Sequence, residues 1–322
     1  MQFMNVLSYK DTGYPRFVKK LDRRAVPGTA GKKVEDIVSS IIADVQKRGN
    51  KAVFEYTQKF DGLKLTTSSL FVSSKEIDDA YDAVDEDLKK AVATSKRNIH
   101  AFAKRSMRKN WKAKNHEGVE IGERFIPYDR VGVYVPGGKA PLVSSALMTA
   151  AFAQAAEVPQ ILAATPAGKD GKINPALLYA LVESGATEII KIGGAQAIAA
   201  MSLGTKTVAP VEKIFGPGNV FVVEAKRQLV GAVSIDLLPG PSEVLIVADK
   251  SANAKFIAAD MLAQAEHSGD SVVGFVTNSK RLLVQVEKEI EKQVPTLNRE
   301  KYIRTLKQVL KSQVPLLTVA SA

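Results

Sequence analysis

The sequence contains no cysteine and only three histidines, His100, His116 and His267. Without cysteine the chain cannot hold a disulfide framework, a thiol nucleophile, an iron–sulfur cluster or a cysteine-type zinc site. A hydrolase triad or a three-histidine metal site would need nearly all of the histidines. We therefore expect a chain from a reducing, cytoplasmic compartment whose chemistry does not depend on sulfur.

The chain also lacks a long apolar run and an amino-terminal targeting pattern. Residues 1–10 contain neither a basic region nor an apolar core of the kind that a secretory signal needs. The longest uncharged stretch, residues 140–156, is interrupted by serine, threonine and glutamine and is too short to span a bilayer. We expect no membrane partner.

Positive charge is concentrated in the first third of the chain. Residues 1–115 contain 24 Lys and Arg against 14 Asp and Glu, which accounts for nearly all of the net charge of +11. Six of these basic residues lie in segment 104–114, together with Trp111 and no acid. Such a stripe could bind nucleic acid, but no recognition motif accompanies it. We interpret it as the solvated end of a long helix and expect no nucleic-acid partner.

Hydrophobic periodicity indicates a helical first third followed by an α/β region. Apolar residues recur at helical spacing over 34–45 and 88–102, and Ser73 with Glu76 has the spacing of a capping box. Later runs predict parallel strands buried on both faces at 131–135, 160–165, 188–192, 213–215, 244–248 and 271–277. Helices are predicted at 175–184, 195–203, 220–229, 252–266 and 298–311.

A last strand is predicted at 315–319, three residues before the end of the sequence. A buried parallel strand needs covering elements on both faces. We therefore expect the natural protein to continue beyond residue 322.

Three glycine turns fall where predicted strands lead into helices, at residues 136–138, 193–194 and 216–219. Glycine allows a phosphate to approach the backbone, and the amino terminus of the following helix favours anions. Such turns also occur simply because the chain must turn tightly. Open α/β sheets bind ligands along the carboxyl ends of their strands, so three turns together favour a ligand site.

Gln264 and His267 are three residues apart near the end of a predicted helix, so they share a face. Zinc readily accepts an imidazole nitrogen, and a glutamine oxygen is a rarer ligand. A histidine in this position can also cap the carboxyl end of the helix. The spacing alone leaves both interpretations open.

Six motifs follow one another in a characteristic order, at residues 130–138, 193–200, 213–219, 224–228, 240–243 and 264–267. With these motifs the chain resembles the histidinol dehydrogenase family from about residue 30 to its end. The resemblance implies two incomplete Rossmann-like domains with mostly parallel sheets and a helical amino-terminal segment. One domain would comprise residues 31–133 and 244–322, the other residues 134–243, after an amino-terminal arm at 1–30.

The resemblance further implies a zinc-dependent, NAD-linked, homodimeric enzyme that oxidises L-histidinol through the aldehyde to L-histidine in histidine biosynthesis. The positions matching NAD contacts are Tyr134, Gln196 and Asn219. Ser242 matches a substrate contact, and Gln264 and His267 match positions that bind both zinc and substrate.

The family's catalytic glutamate and histidine, and its remaining two zinc ligands, match nothing in these 322 residues. Two ligands cannot complete a tetrahedral zinc site, so we expect this chain alone to bind zinc weakly and to be nearly inactive. Two other hypotheses remain: an NAD-dependent dehydrogenase of another small polar alcohol, and a non-catalytic nucleotide-binding module.

Overall fold

A computed structural model describes residues 5–8, 10–16, 31–137, 142–239, 243–265, 272–296 and 315–318. The contacts divide the chain into two compact units. The smaller unit comprises Met1–Pro27 and Pro239–Ala322, and the larger unit is Gly28–Leu238.

The strands are β1 (Asn5–Ser8), β2 (Trp111–Lys114), β3 (Glu120–Glu123), β4 (Arg130–Tyr134), β5 (Gln160–Ala164), β6 (Glu188–Ile190), β7 (Lys213–Phe215), β8 (Ser234–Ile235), β9 (Glu243–Val247), β10 (Val272–Thr277) and β11 (Pro315–Thr318). The helices are α1 (Gly31–Arg48), α2 (Asn50–Asp61), α3 (Ser74–Ala83), α4 (Glu86–Ser106), α5 (Val143–Ala155), α6 (Pro175–Glu183), α7 (Gly194–Leu203), α8 (Val220–Leu229), α9 (Ala254–Ala265) and α10 (Lys280–Gln293).

A five-stranded parallel sheet forms the centre of the larger unit. Its strands lie in the order β6-β5-β4-β7-β8. The chain therefore starts in the middle, adds two strands on one side, and then crosses back to add two on the other. This is the strand order of a Rossmann-like fold, and the reversal lies between β4 and β7. The predicted strands of this sheet are confirmed to within two residues, and β4, β5 and β6 are largely buried, as a parallel sheet requires.

The amino-terminal helices pack on this same unit. Helix α1 buries Val38, Ile41 and Val45 and lies against α7 and α8, while α3 packs on α6 and α4 packs on α5. This grouping differs from the predicted division, which placed residues 31–133 with residues 244–322. The apolar faces of these helices are buried in the core that also contains the five-stranded sheet. Sequence periodicity locates an apolar face but does not say which partner covers it.

Helix starts in the larger unit follow local side-chain chemistry. The Ser73 hydroxyl accepts a hydrogen bond from the Glu76 backbone N–H, and the Glu76 carboxylate accepts one from the Ser73 N–H at 2.9 Å. This confirms the predicted capping box. Asn174 caps α6, which has Pro175 at its first position, as predicted.

The smaller unit contains a four-stranded parallel sheet in the order β1-β11-β10-β9. Residues 5–8, predicted as part of an arm, pair with residues 315–318 as an edge strand. Helices α9 and α10 pack together over this sheet and bury Met261, Phe275 and Val286. The predicted helix at 298–311 lies outside the described residues.

The prediction that residues 244–248 are buried on both faces is wrong. Strand β9 is an edge strand, and its Leu245 and Val247 side chains are 63% and 72% exposed. Within the described residues nothing covers this face. An apolar run predicts a strand but does not show whether both faces find a partner.

The basic segment 104–114 is not the end of one continuous helix. Helix α4 ends at Ser106, and residues 111–114 form β2, which pairs antiparallel with β3. The turn between them uses Asn115, whose side chain accepts hydrogen bonds from the backbone N–H groups of Glu117 and Val119, and Gly118 at a φ of 83°. Asparagine and glycine are typical turn residues, so this hairpin had a signal in the sequence.

A search of the described helices finds none that is both long and apolar enough to cross a membrane.

Glu76 also links α3 to the end of β6, through an ion pair with Lys191. Its carboxylate lies 2.5 Å from the ammonium of Lys191, which is only 8% exposed. Burial alone would raise the pKa of Glu76, but hydrogen bonds from Lys191 and Ser73 outweigh burial and hold the pKa below its ordinary 4.5. We expect Glu76→Gln to lower the free energy of unfolding by about 2 kcal/mol at neutral pH, because the buried ammonium loses a charged partner.

The loss should depend on pH in one direction. A lowered folded-state pKa means that the contribution is present above about pH 4.5 and disappears as the pH falls through the folded-state value. Urea denaturation followed by circular dichroism at several pH values measures it. Glu86→Gln, which removes an exposed ion pair with Lys89, is the control and should change little. Equal losses in the two variants would contradict the prediction.

Candidate functional site

The site lies where the strand order of the five-stranded sheet reverses. Tyr134 is the last residue of β4, and Gly216 directly follows β7. Gly216 has a φ of +121°, and a Cβ added there would lie 2.1 Å from the Tyr134 carbonyl oxygen. Only glycine fits both the backbone conformation and this close approach. The carboxyl ends of the two strands that flank the reversal are therefore in direct backbone contact.

The Tyr134 hydroxyl extends the site to the next turn. Its side chain is buried, and the backbone N–H of Gly194, the first residue of α7, donates a hydrogen bond to the phenol oxygen at 3.0 Å. Burial raises the pKa of Tyr134 to about 12. The phenol is therefore neutral at physiological pH, and its proton can be donated to a ligand.

Gln196, in the first turn of α7, is the least satisfied polar side chain of this region. It is 1% exposed, and neither its amide oxygen nor its amide nitrogen has a hydrogen-bond partner among the described residues. Buried polar groups in native proteins are almost always hydrogen-bonded. An amide that lacks both a donor and an acceptor partner among the described residues is a candidate contact for a ligand.

Thr165 has the same character and was not predicted. It follows β5, is fully buried, and its hydroxyl has no partner among the described residues. A polar residue directly after a buried strand was a usable signal, because ligands of open α/β sheets bind at this edge.

Asn219 ends the third turn and caps α8. Its side-chain oxygen accepts hydrogen bonds from the backbone N–H groups of Phe221 and Val222 at 3.0 and 3.2 Å. The amide nitrogen takes no part in this cap and carries two protons that a ligand can accept. The helix amino terminus beside it favours negative charge.

Packing explains one glycine in each of the first two turns. A Cβ at Gly137 would lie 2.3 Å from the Pro166 side chain, and a Cβ at Gly193 would lie 2.8 Å from it. Pro166 therefore sits between the two turns and requires glycine on both sides. Phosphate approach is not needed to account for these two residues, although the helix terminus after residue 193 remains available.

The structure thus brings the turns that carry Tyr134, Gln196 and Asn219 to one edge of one sheet. The other three predicted site residues belong to the smaller unit. Gln264 lies in the last turn of α9 and is partly exposed, whereas Ser242 and His267 lie outside the described residues. Across the described ranges no group of three or more histidine, aspartate or glutamate side chains could hold a metal ion. Of the predicted zinc ligands, Gln264 is the one that lies within the described residues.

A family model described as histidinol dehydrogenase matches residues 25–321. The chain belongs to the histidinol dehydrogenase family. A histidinol dehydrogenase from a Synechococcus strain is 45% identical over 260 residues, which are 81% of this chain and 60% of the relative. A histidinol dehydrogenase from Lactococcus lactis is 42% identical over 274 residues, which are 85% of this chain and 64% of the relative.

A solved structure agrees with the sequence relatives. The crystal structure of histidinol dehydrogenase from Elizabethkingia anophelis matches with a TM-score of 0.88 and 35% identity. That match covers 100% of this chain and 72% of the other. The family and the α/β fold predicted from the sequence motifs are therefore confirmed. The chain spans about 60% of the length of the Synechococcus relative.

The contact between Gly216 and Tyr134 generates a prediction. Gly216→Ala should destabilise the larger unit by several kcal/mol, because it adds an overlap with the Tyr134 backbone to the strain of a positive φ, each of which costs about 1–3 kcal/mol. Gly231→Ala is the matched control, since Gly231 has a φ of +101° and no atom within 4 Å of the added Cβ. Thermal denaturation of both variants measures the difference. A loss no larger at residue 216 than at residue 231 would show that the close approach is unimportant.

Proposed function

We propose that the larger unit binds NAD at the carboxyl edge of its five-stranded sheet for the oxidation of L-histidinol, a reaction for which these 322 residues lack some of the residues that the family resemblance implies. The observation that carries the nucleotide site is Gln196, a buried amide whose oxygen and nitrogen both lack a partner among the described residues. It lies two residues after Gly194, which donates a hydrogen bond to Tyr134, at the edge of the sheet where Rossmann-like folds bind dinucleotides.

The side chains at this edge fit a dinucleotide. The Tyr134 hydroxyl and the Asn219 amide nitrogen supply donors, and Gln196 supplies a donor and an acceptor. The amino termini of α7 and α8 supply partial positive charge for phosphate oxygens. NAD, when bound, supplies the acceptor for the hydride, and the protein holds and orients it.

The proposed substrate and the proposed metal rest on family membership. Ser242, Gln264 and His267 are the residues proposed to contact L-histidinol, and the last two are proposed to contact zinc as well. A homodimer, a cytoplasmic location and a role in histidine biosynthesis are proposed on the same ground. None of these proposed roles involves the basic segment 104–114.

Gln196 provides a test in which stability and binding respond differently. Gln196→Met keeps the length of the side chain and removes both unpaired polar atoms. We expect an unfolding midpoint equal to or above that of the unaltered chain, because a buried unsatisfied group is gone. We expect the Kd for NADH, measured by fluorescence titration, to rise about tenfold or more.

Gln58→Met is the matched control, because Gln58 is exposed on α2. It should leave both the midpoint and the Kd unchanged. Unaltered NADH affinity in Gln196→Met would remove Gln196 from the site. Failure of the unaltered chain to bind NADH would contradict the proposed nucleotide site as a whole.

Turnover of the 322-residue chain is a separate prediction. It contains two of the four zinc ligands that the resemblance implies, and a catalytic zinc site needs at least three protein ligands. We therefore expect the chain to bind NADH. We expect the zinc-loaded chain to produce NADH from NAD and L-histidinol at no more than the background rate. Absorbance at the NADH band measures this, and clear turnover would refute the assigned ligand set.

A further inference from the structure

Helix α8 carries a lysine whose ammonium is removed from solvent. The Lys226 side chain is 1% exposed and is among the largest fully buried side chains of the described residues. Burying a charge is costly unless it is paired and hydrogen-bonded. The partners of this ammonium therefore show what the lysine does.

Both partners of Lys226 lie at the 216–219 turn or are bonded to it. The ammonium donates to the Gly216 carbonyl oxygen at 2.5 Å and to the Asp236 carboxylate at 2.7 Å. The other oxygen of Asp236 accepts the backbone N–H of Gly216 at 2.8 Å. The ion pair thus holds both backbone polar groups of one glycine, and that glycine is the residue in contact with the Tyr134 backbone.

The neighbouring polar side chains of α8 bond to each other and to helix α1. Arg227 pairs with Glu224 at 2.7 Å and with Glu35 of α1 at 3.0 Å. Gln228 also bonds to Glu224 and to the Glu35 carbonyl oxygen. These contacts attach α8 to α1. Within the motif at residues 224–228, Lys226 alone reaches the turn.

A stable fold does not require an ion pair at a buried position. Apolar residues of similar volume in place of such a pair are often neutral or stabilising. What the pair adds is a defined position for Gly216, three residues before Asn219. Since Asn219 caps α8 with its side-chain oxygen, a shift of the turn would move both the Asn219 amide and the helix terminus.

We propose that Lys226 and Asp236 are positioning residues that hold the 216–219 turn in the geometry in which Asn219 and the amino terminus of α8 contact the dinucleotide. This inference rests on the proposed function and deepens it. Lys226 does not contact the dinucleotide in this arrangement, because its ammonium is committed to Gly216 and Asp236.

The test compares Lys226→Met with Arg227→Met in the full 322-residue chain. Each variant removes one cation from α8 and breaks an ion pair, but only the first breaks contacts to the turn. At a temperature at which both are folded by circular dichroism, we expect the Kd for NADH to rise about tenfold in Lys226→Met and to change little in Arg227→Met. Hydrogen–deuterium exchange should increase in the peptide that covers the turn only in Lys226→Met.

Asp236→Asn is the second variant, for use if Lys226→Met does not fold. It keeps an acceptor for the Gly216 N–H and removes the charge, so we expect a smaller rise in Kd of about threefold. Affinity like that of the unaltered chain in the folded variant, or an equal loss in Arg227→Met, would overturn the positioning role. Failure of the unaltered chain to bind NADH would instead contradict the proposed function.

Discussion

The close approach of Gly216 to the Tyr134 backbone is the constraint on which the larger unit's candidate site depends. It joins the ends of β4 and β7, the two strands between which the sheet order reverses. On one side of this contact, the Tyr134 hydroxyl accepts a hydrogen bond from Gly194 at the start of α7. On the other side lies the ion pair between Lys226 and Asp236. Three turns that are distant in sequence are thereby held in one arrangement, and both backbone polar groups of the glycine that joins them are hydrogen-bonded.

The carboxyl edge of this sheet combines rigid backbone with unsatisfied side chains. The turns are held by glycine–proline packing, a capped helix and a buried ion pair, while Gln196 and Thr165 have buried polar atoms without partners in the part of the chain that the structure describes. Buried polar atoms without partners lower the stability of a fold. Natural proteins tolerate this cost at binding sites, because a preorganised polar edge gains its hydrogen bonds when the ligand arrives.

Family membership and local structure answer different questions about this chain. The match over residues 25–321 establishes the family, and the described residues of the larger unit support the proposed nucleotide site. The substrate and zinc positions of the smaller unit include two residues outside the described ranges. The proposed metal and substrate therefore depend on the family relationship, and the proposed nucleotide site depends also on the Gln196 amide, which lacks a partner among the described residues, and on the Tyr134–Gly194 hydrogen bond.

The sequence by itself determined the resemblance to the family, most of the strands after residue 130, and the helix caps at Ser73 and Asn174, because periodicity, capping boxes and strand-to-helix turns act over a few residues. It also supplied Tyr134, Gln196 and Asn219, through motifs. Only the tertiary structure decided that the first helices pack with the five-stranded sheet, that one face of β9 is exposed, and that Lys226 reaches Gly216. These outcomes depend on contacts between residues far apart in the chain, or on the lack of a covering partner, and no local pattern records them.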